Sequence, residues 1–237
     1  EMIKMRYIIV MLMSIFMLSV FAFCGEEEAP ELKEIKEKTE KICLSMKPFL
    51  ERPEKFKSFN IVKEDVINAY ADTGGNIVFF TGMIDFLQSE DEVAMVCGHE
   101  MSHLSAQHIK RSLGTRILAT IAGEAIGGTA GDVAGTLLFS KQSRKHERES
   151  DRRGLVYAWK AGYDPRVSWR LWEAMQEQAE SGNAFLEKYL STHPVHAERI
   201  TNFKVQTYRI CLENPNLKYC ADILADEELK TAHENFK

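Results

Sequence analysis

Two histidines one helical turn apart, inside an apolar periodic segment, constrain this chain more than any other feature of its sequence. Ser89-Glu90-Asp91-Glu92 opens the segment as a capping box, with Ser89 as N-cap and Glu92 placed to bond back to it. Val93, Val96, Cys97, Met101 and Leu104 follow at helical spacing, which predicts a core helix running to about Lys110. Along it, His99-Glu100-Met101-Ser102-His103 sets two imidazoles at i and i+4 on one face, as two ligands of one tetrahedral Zn²⁺ require. Glu100 lies about 100° round the helix from His99, near the same rim, where it can act on a water without ligating the metal.

A hydrolytic site of this kind needs a third protein ligand and one open position. The best candidate is Glu147, 44 residues after His103, at the start of a second helical run from Arg144 to Ala161; Glu149 is the alternative. Asp151, one turn beyond Glu147, can accept the outer N–H of a metal-bound imidazole and fix its tautomer. Leu155, Ala158 and Trp159 carry that side into the core, and Gly162 with Pro165 ends the helix. Alone, Glu147 and Asp151 among Arg144, Arg148, Arg152 and Arg153 would read as a solvated charged face; the upstream histidine pair reverses that preference.

Ahead of the histidine helix, three runs rich in β-branched and aromatic residues, Phe59–Val62, Val66–Ala71 and Ile77–Thr81, predict a small β region. Asp72-Thr73-Gly74-Gly75-Asn76 supplies a hairpin turn between the last two. The expected fold is α+β and mainly helical. A formal charge of −5 and the lack of any basic stripe exclude general nucleic-acid binding, since nothing could displace counterions from phosphate.

The amino terminus reads as an export signal: Lys4 and Arg6 precede an apolar run from Tyr7 to Phe23, then Cys24 and an acidic stretch. Cys24 is positioned as a lipidation site, and Val20-Phe21-Ala22 offers an ordinary cleavage site instead. The expected layout is a signal at 1–23, a tether and the start of a helix at 24–44, and a single folded domain at 45–237. Export would permit disulfides. Cys211 and Cys220 are nine residues apart across a turn-rich stretch, Cys43 competes for either, and Cys97, inside the apolar helix, reads as a small buried hydrophobe.

Gly98-His99-Glu100-Met101-Ser102-His103, then Glu147-Arg148-Glu149-Ser150-Asp151 with Gly154, then Thr192-His193-Pro194 with Arg199, resemble the M48 metallopeptidases in order and spacing. Asn68-Ala69-Tyr70-Ala71 and Thr81-Gly82-Met83 are similar to the strand and turn which that family places before its active-site helix, and Ser150 stands where the family usually has Ala. The resemblance covers about residues 45–205 and implies a zincin-like domain holding one Zn²⁺ on His99, His103 and Glu147. It further implies Glu100 as general base, Asp151 as support, and polypeptide substrates aligned along the strand carrying Asn68, Ala69 and Tyr70. Pro194 fits the first position of a helix, which would place His193 at its mouth. The resemblance suggests that His193 and Arg199 face the site and steady the oxyanion; alternatively His193 takes the fourth metal position and inhibits, or merely caps a turn. His108, His146 and His196 receive no role.

Between Ile117 and Phe139, glycines at 123, 127, 131 and 135 align on one helical face, and Glu124 and Asp132 argue against a membrane span. This segment is expected to pack or to gate the cleft near a membrane. The function expected is a zinc endopeptidase of the bacterial envelope, on the periplasmic side and anchored to a membrane, the outer one favoured, acting on misfolded or unassembled envelope proteins. The competing expectation is a chaperone-like assembly factor with a shielded metal site.

Overall fold

Hydrogen bonding around Asp72 sets the small sheet. In the computed structural model, which describes residues 30–108, 111–112, 114, 128–194 and 197–236, the Asp72 carboxylate accepts the backbone N–H groups of Gly74 at 2.8 Å and Asn76 at 3.0 Å. Gly75, at φ 99°, completes the turn in a conformation that a side chain would strain. The turn joins β2 (Ala69–Ala71) to β3 (Asn76–Phe80) as the expected hairpin, with Tyr70 opposite Val78. β2 begins at Ala69 rather than Val66, because Ile67 N–H bonds Phe185 O instead of the sheet. β1 (Ser58–Val62) runs parallel to β3 on its other side, giving the order β1-β3-β2 and leaving β2 at the edge.

The chain divides into units 1–37 and 38–237. The first is described only from residue 30, as the opening turns of α1 (Pro30–Met46); within the second unit that helix buries Thr39, Ile42, Cys43 and Met46. α2 (Thr81–Phe86) leads to α3 (Glu90–Ser105), whose N-cap Ser89 accepts the Glu92 N–H. α3 stops at Ser105, short of the expected Lys110, where Gln107 turns to φ 57°. α4 spans Gly128–Lys160, so the run expected from Arg144 is the second half of a longer helix. Of the glycine-spaced segment, 117–127 lies outside the described residues, as do the signal, Cys24 and His196. Then come α5 (Val167–Glu180), α6 (Ala184–Thr192), α7 (Ala197–Glu213), α8 (Cys220–Ala225) and α9 (Glu227–Asn235).

α3 and α4 cross at two glycines. A Cβ on Gly98 would stand 2.6 Å from Gly154 O, and one on Gly154 would stand 2.6 Å from His99 N, so only hydrogen at both positions allows this approach. Around the crossing, Trp172 stacks on Tyr189 at 6.0 Å and on Phe203 at 6.1 Å, fastening α5, α6 and α7 beside it. Cys97 is not the free buried thiol expected: it pairs with Cys43, tying α1 to α3, because both fall on buried faces with Cα atoms 5.8 Å apart. Cys211–Cys220 closes the short loop between α7 and α8. Among the described residues, no helix is long and apolar enough to cross a membrane.

Candidate metal centre

The glycine crossing aims the histidine face of α3 at the acidic face of α4. His99 Nε2 lies 3.1 Å from His103 Nε2 and 3.3 Å from Glu147 Oε2, and His103 Nε2 lies 3.4 Å from Glu147 Oε1. His193 joins them, its Nδ1 3.2 Å from His99 Nε2 and 3.0 Å from Glu147 Oε2. These four side chains are all buried, and one donor atom from each lies within 4.8 Å of the others. A tetrahedral ion with donors at 2.0–2.1 Å has donor–donor edges of about 3.3–3.4 Å, so separations of 3.0–3.4 Å match such an ion in size. Three imidazoles and one carboxylate suit zinc-like ions and not Mg²⁺ or Ca²⁺, which prefer oxygen.

Charge agrees with this fit. Glu147 and Asp151 meet Arg199 while Glu100 meets His193, so among the described residues the buried acids outnumber the guanidinium beside them and a cation is favoured here. Burial would raise the Glu147 carboxyl, but His193, His103 and His99 hold it well below the usual range. His99 is opposed by burial yet raised to about 9 by its contacts with Asp151 and Glu147, whereas at His103 burial outweighs the pull of Glu147 and, with the neighbouring imidazoles, pushes the ring well below 6.5. In Glu100 burial wins and the carboxyl moves up. Its Oε1 is buried without a hydrogen-bond partner among the described residues, 3.5 Å from His193 Nε2.

Asp151 Oδ1 sits 3.0 Å from His99 Nδ1, on the far side of that ring from the cluster. Arg199 reaches the cluster from α7. Its Nε and Nη2 donate to the two Asp151 oxygens at 2.7 and 2.6 Å, its Nη1 donates to Pro194 O at 3.1 Å and reaches Glu147 at 3.3 Å, and its plane lies 4.0 Å from the Trp172 ring centre. A guanidinium whose three nitrogens are all engaged braces the two carboxylates. His193 is the C-cap of α6, four residues ahead of Ala197, with its ring 4.8 Å from that of Tyr189. Glu149, the alternative ligand, faces away toward His108 at 3.2 Å and Arg153 at 2.6 Å.

Asn68, Ala69 and Tyr70 lie on or beside the edge strand, which packs on α3. Because Phe80 N bonds Asn68 O and Asp72 N bonds Asn76 O, the β2 groups turned from the sheet belong to Ala69 and Ala71. Ala71 N–H is close enough to Glu100 to oppose the rise of that carboxyl. One residue that spacing did not single out is His108, whose Nδ1 touches His103 Nδ1 at 3.3 Å. It follows a break in the helix, so periodicity could not place it.

The family model for Peptidase family M48 matches residues 31–206. The chain belongs to family M48. The M48 domain is 37% identical over 147 residues to the mitochondrial metalloendopeptidase OMA1 of Arabidopsis thaliana, covering 59% of this chain and 29% of that protein. It is 29% identical over 164 residues to the beta-barrel assembly-enhancing protease of Escherichia coli K12, covering 61% of this chain and 33% of that one. With yeast mitochondrial metalloendopeptidase OMA1 it shares 28% over 144 residues, 57% and 42% of the two chains. It therefore spans about a third of the length of these relatives. As an M48 peptidase domain with a three-His, one-Glu cluster, it is built to hold a metal.

Proposed function

We propose that this chain is a zinc-dependent endopeptidase of the bacterial cell envelope, with His99, His103 and Glu147 as ligands of one Zn²⁺. The observation that carries the reading is the set of donor separations of 3.0–3.4 Å beside a buried, unpartnered Glu100 oxygen. Zinc bound there would supply a Lewis acid that acidifies water and polarises the scissile carbonyl. Glu100, held in a buried site that raises its proton affinity, takes the proton of the attacking water and returns it to the leaving amine. Asp151 keeps the His99 tautomer with Nδ1 protonated, and Arg199 braces Asp151 and Glu147. The edge strand carrying Asn68, Ala69 and Tyr70, of which Tyr70 is exposed, is the strand along which an extended substrate would align.

A bacterial envelope substrate, misfolded or unassembled, is the reading supported by likeness to the beta-barrel assembly-enhancing protease. The apolar run before Cys24 supports export to the periplasmic side and a lipid anchor at Cys24, the outer membrane favoured. Casein cleavage by purified 24–237 tests the enzyme: chelator and Glu100→Gln should each abolish it, and cleavage that survives both excludes this site.

His193 favours a second reading. With Nδ1 inside the donor cluster, it closes the fourth position and makes this a self-inhibited form, as a shielded assembly factor would also have. His193→Ala should then raise cleavage, whereas a fall would assign His193 to transition-state support.

A further inference from the structure

His108 is buried and belongs to no ligand set, yet its ring is held on three sides. Nδ1 lies 3.3 Å from His103 Nδ1 and 3.1 Å from Ser150 Oγ, Nε2 lies 3.2 Å from Glu149 Oε2, and one face stacks on His146 at 4.1 Å. We infer that His108 is a positioning residue for the metal: it accepts the outer N–H of His103 and passes the polarisation on to Glu149. The inference rests on the ligand assignment proposed above.

The tautomers follow from that assignment alone. If His103 binds through Nε2, that nitrogen carries no proton, so His103 Nδ1 carries one and must donate. The nearest acceptor is His108 Nδ1, which serves only if His108 is protonated at Nε2. That proton then points at the Glu149 carboxylate, which Arg153 Nη2 holds from the other side at 2.6 Å while Arg153 Nη1 meets Glu51 at 3.2 Å. The first two links donate one way, from ligand to imidazole to carboxylate, and Arg153 donates to that carboxylate from its other side. The reverse orientation would protonate His103 Nε2 and forbid ligation. The two ligating histidines therefore have different outer partners. His99 has a carboxylate directly, and His103 has a carboxylate at one remove, through a neutral ring. Ser150 Oγ competes for the single lone pair of His108 Nδ1 and adds nothing that His103 needs.

The test separates this role from mere packing. His108→Asn keeps an acceptor near the Nδ1 position, while His108→Phe keeps the stacking surface and removes the acceptor. Zinc affinity is measured by chelator competition, with the visible spectrum of the cobalt-substituted protein and the melting of the metal-free protein alongside. His108→Phe should bind zinc ~10–100-fold more weakly and change the cobalt bands, as loss of an outer partner does. His108→Asn should stay within ~3-fold of wild type, and Ser150→Ala should bind at least as tightly as wild type. Wild-type affinity and spectrum in His108→Phe, or equal loss in the Asn and Phe variants, overturn the inference while leaving the ligand assignment standing. A wild-type protein that takes up no zinc overturns both. If His108→Phe does not fold, Glu149→Met carries the test from a side chain 20% exposed, with an expected loss of ~3–10-fold; unchanged affinity there also overturns it.

Discussion

Replacing Gly154 by Ala places one methyl group between the two helices that carry the ligands. The new Cβ would stand 2.6 Å from His99 N, 2.7 Å from Gly98 C and 2.9 Å from Gly98 O, all backbone atoms of α3 that cannot rotate away. An ordinary contact begins near 3.4 Å, so α3 and α4 must separate locally by about 0.8 Å. Overpacking against backbone that cannot move aside takes the upper part of the usual range, about 2–3 kcal/mol, offset by about 1 kcal/mol from the better helix propensity of Ala. The net loss is then about 1–2 kcal/mol, and at about 2–4 °C per kcal/mol for a chain of this size Tm falls by about 2–8 °C. The functional loss should be larger than the stability loss. Metal–donor distances tolerate only about ±0.2 Å, and the shift moves Glu147 and Asp151 away from His99 together. Zinc affinity should therefore fall by at least ~10-fold, read by chelator competition beside thermal melting. Gly114→Ala is the control: among the described residues a Cβ there has nothing within 4 Å, so only helix propensity acts and the change should be neutral or stabilising by up to about 1 kcal/mol. A Gly154→Ala protein with wild-type Tm and zinc affinity would refute the idea that glycine contact sets the geometry of the centre.

Zinc must displace the proton that Asp151 and Glu147 hold on His99 up to about pH 9, so affinity should rise about tenfold per pH unit from pH 6.5 to 8.5; a flat profile contradicts that pairing. The metal-free protein should run the opposite way. The raised His99 contributes stability fully below about pH 6.5 and loses it as pH climbs through about 9, which urea midpoints across that range would detect. Glu147→Gln should weaken zinc binding by more than the roughly 100-fold that marks the limit for outer partners, whereas Glu149→Gln, which keeps an acceptor for His108, should leave it within that limit. Removing Cys43–Cys97, which closes 54 residues, should cost about 4 kcal/mol, against about 3 kcal/mol for the nine-residue Cys211–Cys220 loop; the reverse order in denaturant unfolding would count against the chain-entropy account.

What the sequence determined alone was everything whose partners lie within a turn or two of one another. The Ser89 cap, the i,i+4 pair His99 and His103, and the Asp72 turn that joins β2 to β3 are local, and the fold class follows from them and from apolar periodicity. Tertiary structure decided the rest. Glu147 and Glu149 differ by about 200° around one helix, and no spacing tells which face meets α3; the Gly98–Gly154 approach settles that Glu147 meets the histidines and Glu149 meets His108. Cys97 looked like a packing residue because its partner is 54 positions away on α1. The contacts of Arg199 were equally out of reach, because its partners, Asp151 and Glu147, lie on another helix. Side-chain direction across a helix crossing depends on how closely two backbones approach, and that distance is a property of both segments together, written in neither one.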